Sequence, residues 1–411
     1  MTSKPSAHHA EADWFAQCKE LVGAMGVERL WPSISWGIVD GHGLVVTSST
    51  GAVSGGEPPN ADTVYRIASM TKSFTAAAVL SLRDEGVLRL DDDILEHAPE
   101  LAGVIGPTTD NGPIRLHHLL SMASGLATDN PWADRHLDIT DEELDAVAGD
   151  APVFAVPTGT AFEYSNLGYG LLGRIVKRAS GRPLQDIITE RLLKPLKMTR
   201  TTWTKPEHSD WARPYVKEDG AFRADDIAPL GDGQFAPIGG LWSTVPDLAR
   251  WMSWLDDANV PRDDSDDGPL QRASRREMQQ MHRYSRLENV KGRTTAVGYG
   301  FGLAVADDPL HGRLISHAGG LPGYASDMRW IAGRGLGVVA LANVTYAPVT
   351  TLTARLLDVV AASDLAPAPA AFTSPTVDRA GRQLLALLSD WENDAAAELF
   401  ADNVALDQSL T

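Results

Sequence analysis

"RIASMTKSFTAAAVL", residues 66–80, places Ser69 three residues before Lys72 at the head of a helix-periodic run. On a helix, positions i and i+3 share a face, so the lysine amine reaches the serine hydroxyl. The positive helix N-terminus and burial both favour a neutral amine. A neutral amine can take the proton that a free hydroxyl does not release near pH 7. The same residues also read as a helix cap with a surface lysine behind it. Of nine lysines in the chain, Lys72 alone has serine three positions earlier, so the pair is weak in isolation.

Two other stretches carry compatible chemistry. In "FEYSNLGYG", residues 162–170, Tyr164 is the one tyrosine of eight followed two positions later by asparagine, Asn166. On a short turn both can face one cleft, the phenol shuttling a proton and the amide orienting a substrate and holding Lys72. An aromatic packed before a helix cap explains the stretch as well. In "ISHAGGLPGY", residues 315–324, His317 ends a strand and precedes Gly319 and Gly320. Glycines there let a second backbone approach the strand edge. The N–H groups of Ser69 and Gly320 can then form an oxyanion hole. A tight hairpin turn with an exposed histidine is the plainer alternative.

In this order, Ser-x-x-Lys, Tyr-x-Asn and His-x-Gly-Gly resemble the serine β-lactamase and penicillin-binding-protein superfamily. The branch they resemble holds AmpC-type β-lactamases, D-alanyl-D-alanine carboxypeptidases, D-aminopeptidases and esterases. "LLSMASGL" (119–126) and "GGLWSTVPDLARWM" (239–252) are similar to further motifs of that branch. The resemblance spans about residues 30–362. It implies Ser69 as nucleophile, Lys72 and Tyr164 as proton carriers, and Asn166, His317, Gly319 and Gly320 around the substrate. Trp242, inside the glycine turn, is the leading specificity candidate; Tyr324 and the loop "DNPWADRHLDITDEEL" (129–144) with Trp132 are others. His317 stands where β-lactamases usually carry lysine. A histidine with a pKa near 6.5 holds a substrate carboxylate less well at neutral pH. The expectation is therefore an acyl-enzyme hydrolase of small amides or esters, of the D-aminopeptidase or esterase kind. A β-lactamase or D-alanyl-D-alanine carboxypeptidase is the rival, and an inactive binding protein on the same fold a further one. No metal or organic cofactor is required.

The composition agrees with this class. Hydrophobic residues make up 43% and charged ones 22%, and the net charge is −18. That charge disfavours nucleic acid and anionic membranes as partners. The expected partner is a small-molecule or short-peptide substrate, and a homo-oligomer is compatible. No apolar run approaches the roughly 20 residues of a membrane span, and "MTSKPSAHHAEADWF" has no signal-peptide core. A cytoplasmic location is expected. The single cysteine, Cys18, falls in an apolar-periodic segment and is expected to be packed. The adjacent His117 and His118 point to different helix faces and read as structural rather than as a zinc pair. "DDSDDG" at 263–268 lacks the ligands of a calcium loop.

Strands at both ends bracket a helical middle, which predicts an α+β fold: an antiparallel sheet flanked by helices, with a mostly helical subdomain. Residues 1–29 read as a helical segment packing on the main domain, 30–364 as the hydrolase domain, and 365–411 as a linker and helical tail. That tail either packs on the main domain or begins an accessory one. Gly86 should stop the helix after Lys72, Thr244 should cap the next long one, and "TVYRIAS" should add a third strand.

Overall fold

Leu336–Ala342, LGVVALA, is a strand buried along its whole length. A continuous apolar run suits a strand covered on both faces. It belongs to an eight-stranded antiparallel sheet: β1 (Ser33–Asp40), β2 (Gly43–Gly51), β3 (Arg283–Val290), β4 (Arg293–Tyr299), β5 (Ala304–Asp308), β6 (Gly312–Leu321), β7 (Tyr324–Ile331) and β8 (Leu336–Ala342). The spatial order is β2-β1-β8-β7-β6-β5-β4-β3, so β1 joins the two ends of the chain by pairing with β8. The computed structural model describes residues 13–28, 30–53, 56–103, 108, 110–149, 153–207, 210–225, 231–262, 264–290, 292–366, 375–401 and 404. The amino terminus, most of the Pro/Ala linker and Asp263 of the acidic loop lie outside the described residues.

Helices α1 (Asp13–Val27), α2 (Thr71–Asp84), α3 (Asn166–Ser180), α4 (Val245–Asp257) and α5 (Val349–Ala361) build the layers. Side chains alternate across a strand. Val338, Ala340 and Ala342 of β8 thus join the core of α1 and α5, while Val339 and Leu341 join the core of α2, α3 and α4. Cys18 is fully buried in the first core, which pushes its thiol pKa up to about 12. In the second, Phe74 of α2 stacks on Trp251 of α4 at 3.9 Å, and the Trp251 indole donates to Ser73 Oγ at 3.0 Å.

Local signals set most helix ends. Thr244 accepts from Asp247 N at 3.3 Å and caps α4, and Ser165 does the same for α3 through Gly168 N. Gly86 follows the end of α2 at φ 76° and Gly181 that of α3 at φ 70°, the left-handed conformation that glycine adopts without a Cβ penalty. Three expectations change. Strands β3, β4 and β5 extend the sheet where the middle of the chain reads as helical. The third strand shrinks to Tyr65–Arg66, which pairs with Trp242–Ser243 outside the main sheet. Ser69 is not a cap: it sits in a 3₁₀ turn, Ala68–Met70, before α2, and no side chain caps either element. Among the described residues no helix is long and apolar enough to cross a membrane.

Residues 369–411 form a second compact unit. Trp391, in the turn between its helices α6 (Pro375–Ser389) and α7 (Asn393–Leu399), stacks on Phe400 just past α7, at 6.2 Å.

The 3₁₀ turn rests on β6 and β7. Ser326 Oγ donates to Ile67 O at 2.7 Å, and a Cβ on Gly319 would overlap that carbonyl oxygen and crowd Ala68. Gly319→Ala should therefore lower the urea midpoint with an unchanged slope, at a cost of about 1–3 kcal/mol from overpacking. An unfolding curve superimposable on the wild type would show that the contact yields freely.

Candidate active site

Ala68 holds φ 49°, a left-handed conformation for a residue with a Cβ. Such strain costs about 1–3 kcal/mol and persists only where the surroundings enforce it. Here Ile67 N donates to Leu241 O at 3.0 Å and Ile67 O accepts from Ser326. The turn fixes Ser69 at the wall of a cavity of about 470 Å³ that Tyr164, His317, Gly320, Asn130 and Asp134 also line.

Behind Ser69, Lys72 is wholly buried. Its Nζ lies 3.1 Å from Ser69 Oγ, 2.7 Å from Asn166 Oδ1 and 2.9 Å from Ile238 O. Burial pulls its pKa down to about 7, against the opposing pull of Asp134 and Asp129. A neutral amine has two hydrogens and one lone pair. Asn166 Oδ1 and Ile238 O can only accept, so they take both hydrogens. The lone pair is left facing the Ser69 hydroxyl. Tyr164 also hydrogen-bonds Ser69, and burial raises its pKa above the usual phenol value, so it stays protonated.

Across the cavity, His317 is 5% exposed. Its Nδ1 lies 2.6 Å from Ala318 O, an acceptor, and its Nε2 lies 2.8 Å from the Tyr299 hydroxyl. Nδ1 therefore carries the hydrogen and Tyr299 donates to Nε2. Desolvation first, then the Lys72 charge, push its pKa down to about 3. His317 is a neutral hydrogen-bonding group, not a cation.

The β5–β6 ladder ends at Ala304–Ser316, so His317–Leu321 have one open edge. On the other side β6 pairs with β7 up to Leu321–Tyr324, which flank a two-residue turn. Hydrogen-bonded pairs alternate in an antiparallel ladder. Counting back from that closing pair, Gly320 and Ala318 turn their N–H groups to the open edge.

A family model described as beta-lactamase matches residues 19–362. The chain belongs to the beta-lactamase family. It is 31% identical over 306 residues to the D-alanyl-D-alanine-carboxypeptidase/endopeptidase AmpH of Escherichia coli, covering 71% of this chain and 73% of that protein. It is 29% identical over 349 residues to esterase EstB of Burkholderia gladioli, covering 74% and 84%. Among solved structures, the octameric penicillin-binding protein homologue from Pyrococcus abyssi superposes with a TM-score of 0.73 at 25% identity, over 91% of this chain and 82% of that one.

The beta-lactamase-family motifs bring Ser69, Lys72, Tyr164, His317, Gly319 and Gly320 to one place, and Asn166 holds Lys72 as expected, but Asn166 and Trp242 lie outside the cavity lining. Asn166 is fully buried behind Lys72 and does not line the cavity. Its Nδ2 donates to Asn130 Oδ1 at 2.7 Å, and Asn130 is the amide that faces the cavity. Trp242 is 1% exposed and lies outside the cavity lining. Its backbone is fixed by pairing with Arg66, and its ring packs edge-on to Trp211 and Tyr324 with Arg66 over its face. Tyr324 is buried too, donating to Ala212 O, and Trp132 packs on Phe235. Asn130, Asp134 and Tyr346 are the cavity residues that motif reading passes over. Asn130 and Asp134 fall in the loop 129–144, which the sequence offers as a specificity candidate, whereas Tyr346 carries no such signal. His118 serves local structure, its Nδ1 accepting from Arg115 N at 3.1 Å.

If the neutral Lys72 is the base, kcat/KM should rise with pH through a midpoint of about 7. One pH unit below that midpoint about a tenth of the amine is neutral, and two units below about a hundredth. Folding stability should rise in the same direction between about 7 and 10.5, because the unfolded chain there binds the extra proton. A kcat/KM flat from pH 5.5 to 8.5 would remove Lys72 from the base role.

Proposed function

We propose that the chain hydrolyses small amides or esters through an acyl-enzyme on Ser69. The observation that carries this is the fully buried Lys72, whose Nζ lies 3.1 Å from Ser69 Oγ with its other contacts made to acceptors only. Ser69 Oγ attacks the carbonyl carbon while its proton passes to Lys72 Nζ. The carbonyl oxygen becomes an oxyanion between the N–H groups of Ser69 and Gly320. Tyr164, bonded to Ser69, relays the proton to the leaving nitrogen or oxygen as that bond breaks. Water then attacks the ester carbonyl, and its proton returns by the same route to free Ser69. General acid–base catalysis of this kind contributes about 10²–10⁴ in rate, and each oxyanion donor about 10²–10³.

The neutral His317 supports substrates without a carboxylate at that position, as expected for esters and amides rather than β-lactams. The relationship to a D-alanyl-D-alanine carboxypeptidase keeps the rival reading in play. Both readings use Ser69, whereas an inactive binding protein would not. Ser69→Ala should lose all turnover and all labelling by a fluorophosphonate probe, with an unchanged unfolding curve. Retained turnover in that variant ends the assignment. Hydrolysis of a chromogenic cephalosporin without hydrolysis of p-nitrophenyl esters would select the rival.

A further inference from the structure

One wall of the cavity carries a carboxylate that the acyl-transfer steps do not use. Asp134 follows the short helix Asn130–Ala133, is 5% exposed, and lines the cavity with Asn130 and Tyr346. Its side chain makes one hydrogen bond, accepted at Oδ2 from the Tyr346 hydroxyl at 3.1 Å. Among the described residues no side-chain hydrogen bond from a cation reaches it; Lys72 and Arg135 act on it through their charge. A carboxylate taken out of water normally has a counter-ion or a full set of donors. Lys72 Nζ, buried nearby, makes its contacts with Ser69 Oγ, Asn166 Oδ1 and Ile238 O instead.

The other charged groups around the cavity do not fill that role. His317 is neutral. Arg286 lines the cavity from β3, but it is exposed and its Nε donates to Glu288 at 2.8 Å. Arg135, next in the chain, is exposed and acts on Asp134 through its charge. Burial raises the Asp134 pKa and the Lys72 charge lowers it, so the interior offers a carboxyl group where a carboxylate-binding site would offer a cation.

Tyr346 completes the arrangement. Its φ is 51°, a second left-handed residue with a Cβ, and its ring lies against Gly320, where any Cβ would collide with it. The strained backbone stands the aromatic ring beside Gly320, with its hydroxyl on Asp134. A carboxylate next to an aromatic face is the chemistry that holds an ammonium group.

We propose that Asp134 determines specificity by binding a free ammonium group close to the scissile carbonyl, so that the substrates are amides or esters of amino acids with an unblocked amine. The inference rests on the acyl-transfer reading above. The α-amine of an amino-acid amide is the smallest group that meets the requirement. It is protonated over much of the population at pH 7, since its ordinary pKa is about 7.7–8.0.

The test compares kcat/KM at pH 7 for the p-nitroanilides of D- and L-alanine with their N-acetyl derivatives, with p-nitrophenyl acetate as a reporter of Ser69 chemistry. The wild type should prefer the free amine of at least one enantiomer by about 10-fold to 100-fold, the range of one charge-assisted hydrogen bond. Asp134→Asn should reduce that ratio about ten-fold or more, chiefly through KM, with Ser69 labelling as the check on folding. Equal or better turnover of the N-acetyl substrates by the wild type overturns the inference without any variant. A ratio unchanged in Asp134→Asn overturns it as well. If Ser69-dependent hydrolysis of p-nitrophenyl acetate is intact in either case, only this inference falls. If neither that hydrolysis nor Ser69 labelling is found, the acyl-transfer reading fails and takes the inference with it.

Discussion

A lysine ammonium placed in a protein interior costs several kcal/mol, and the second core is arranged around that cost. Lys72 comes from α2, one acceptor from the first residue of α3, and another from the short helix Ala236–Gly239. The result is an amine close to neutrality at pH 7 rather than an ion paired to a carboxylate. An ion pair would have fixed the proton and removed the lone pair. Asn166 matters for the same reason: its amide oxygen orients Nζ without adding a full negative charge. The nearby acids, Asp134 and Asp129, pull the amine back towards the protonated form, and desolvation outweighs them.

The second constraint is the strained turn that carries Ser69. Ala68 stays left-handed because both sides of the turn are tied to other layers, Ile67 N to Leu241 and Ile67 O to Ser326. The absence of a side chain on Gly319 lets that turn lie against β6. The turn therefore ties the sheet to the helical region beside Ser69. The alignment of Ser69 with the Gly320 N–H depends on both layers keeping their registers.

What the sequence reveals follows from how far the deciding interaction reaches. Caps such as Thr244 and Ser165, and stops such as Gly86 and Gly181, act within a turn and are legible from neighbouring residues. The apolar run of β8 is legible because both faces are covered. Strands β3–β5 are not, because β3 lies at the sheet edge with Tyr284, Arg286 and Leu287 exposed, which blurs the two-residue period. Ser69, Lys72, Tyr164 and His317 can be read as spaced motifs. Trp242 misleads because a motif nearby says nothing about which way a ring packs. That was decided by a ladder with Arg66, far away in sequence. Asn130 and Asp134 reach the site because Asp129 accepts from Asn166 N and Leu167 N, each at 2.8 Å. That fold-back across some forty residues leaves no local trace.

The break in pairing along β6 has a consequence for the company the protein keeps. An exposed strand edge is a template for other chains, and proteins blunt it with charge, proline or cover. Here the unpaired stretch is His317–Leu321, flanked by β5 on one side and roofed by Tyr346. It is too short to nucleate a foreign sheet. It still offers main-chain groups in the direction an extended ligand needs. The same interruption that opens the cavity beside Ser69 thus leaves an unpaired edge only five residues long, His317–Leu321.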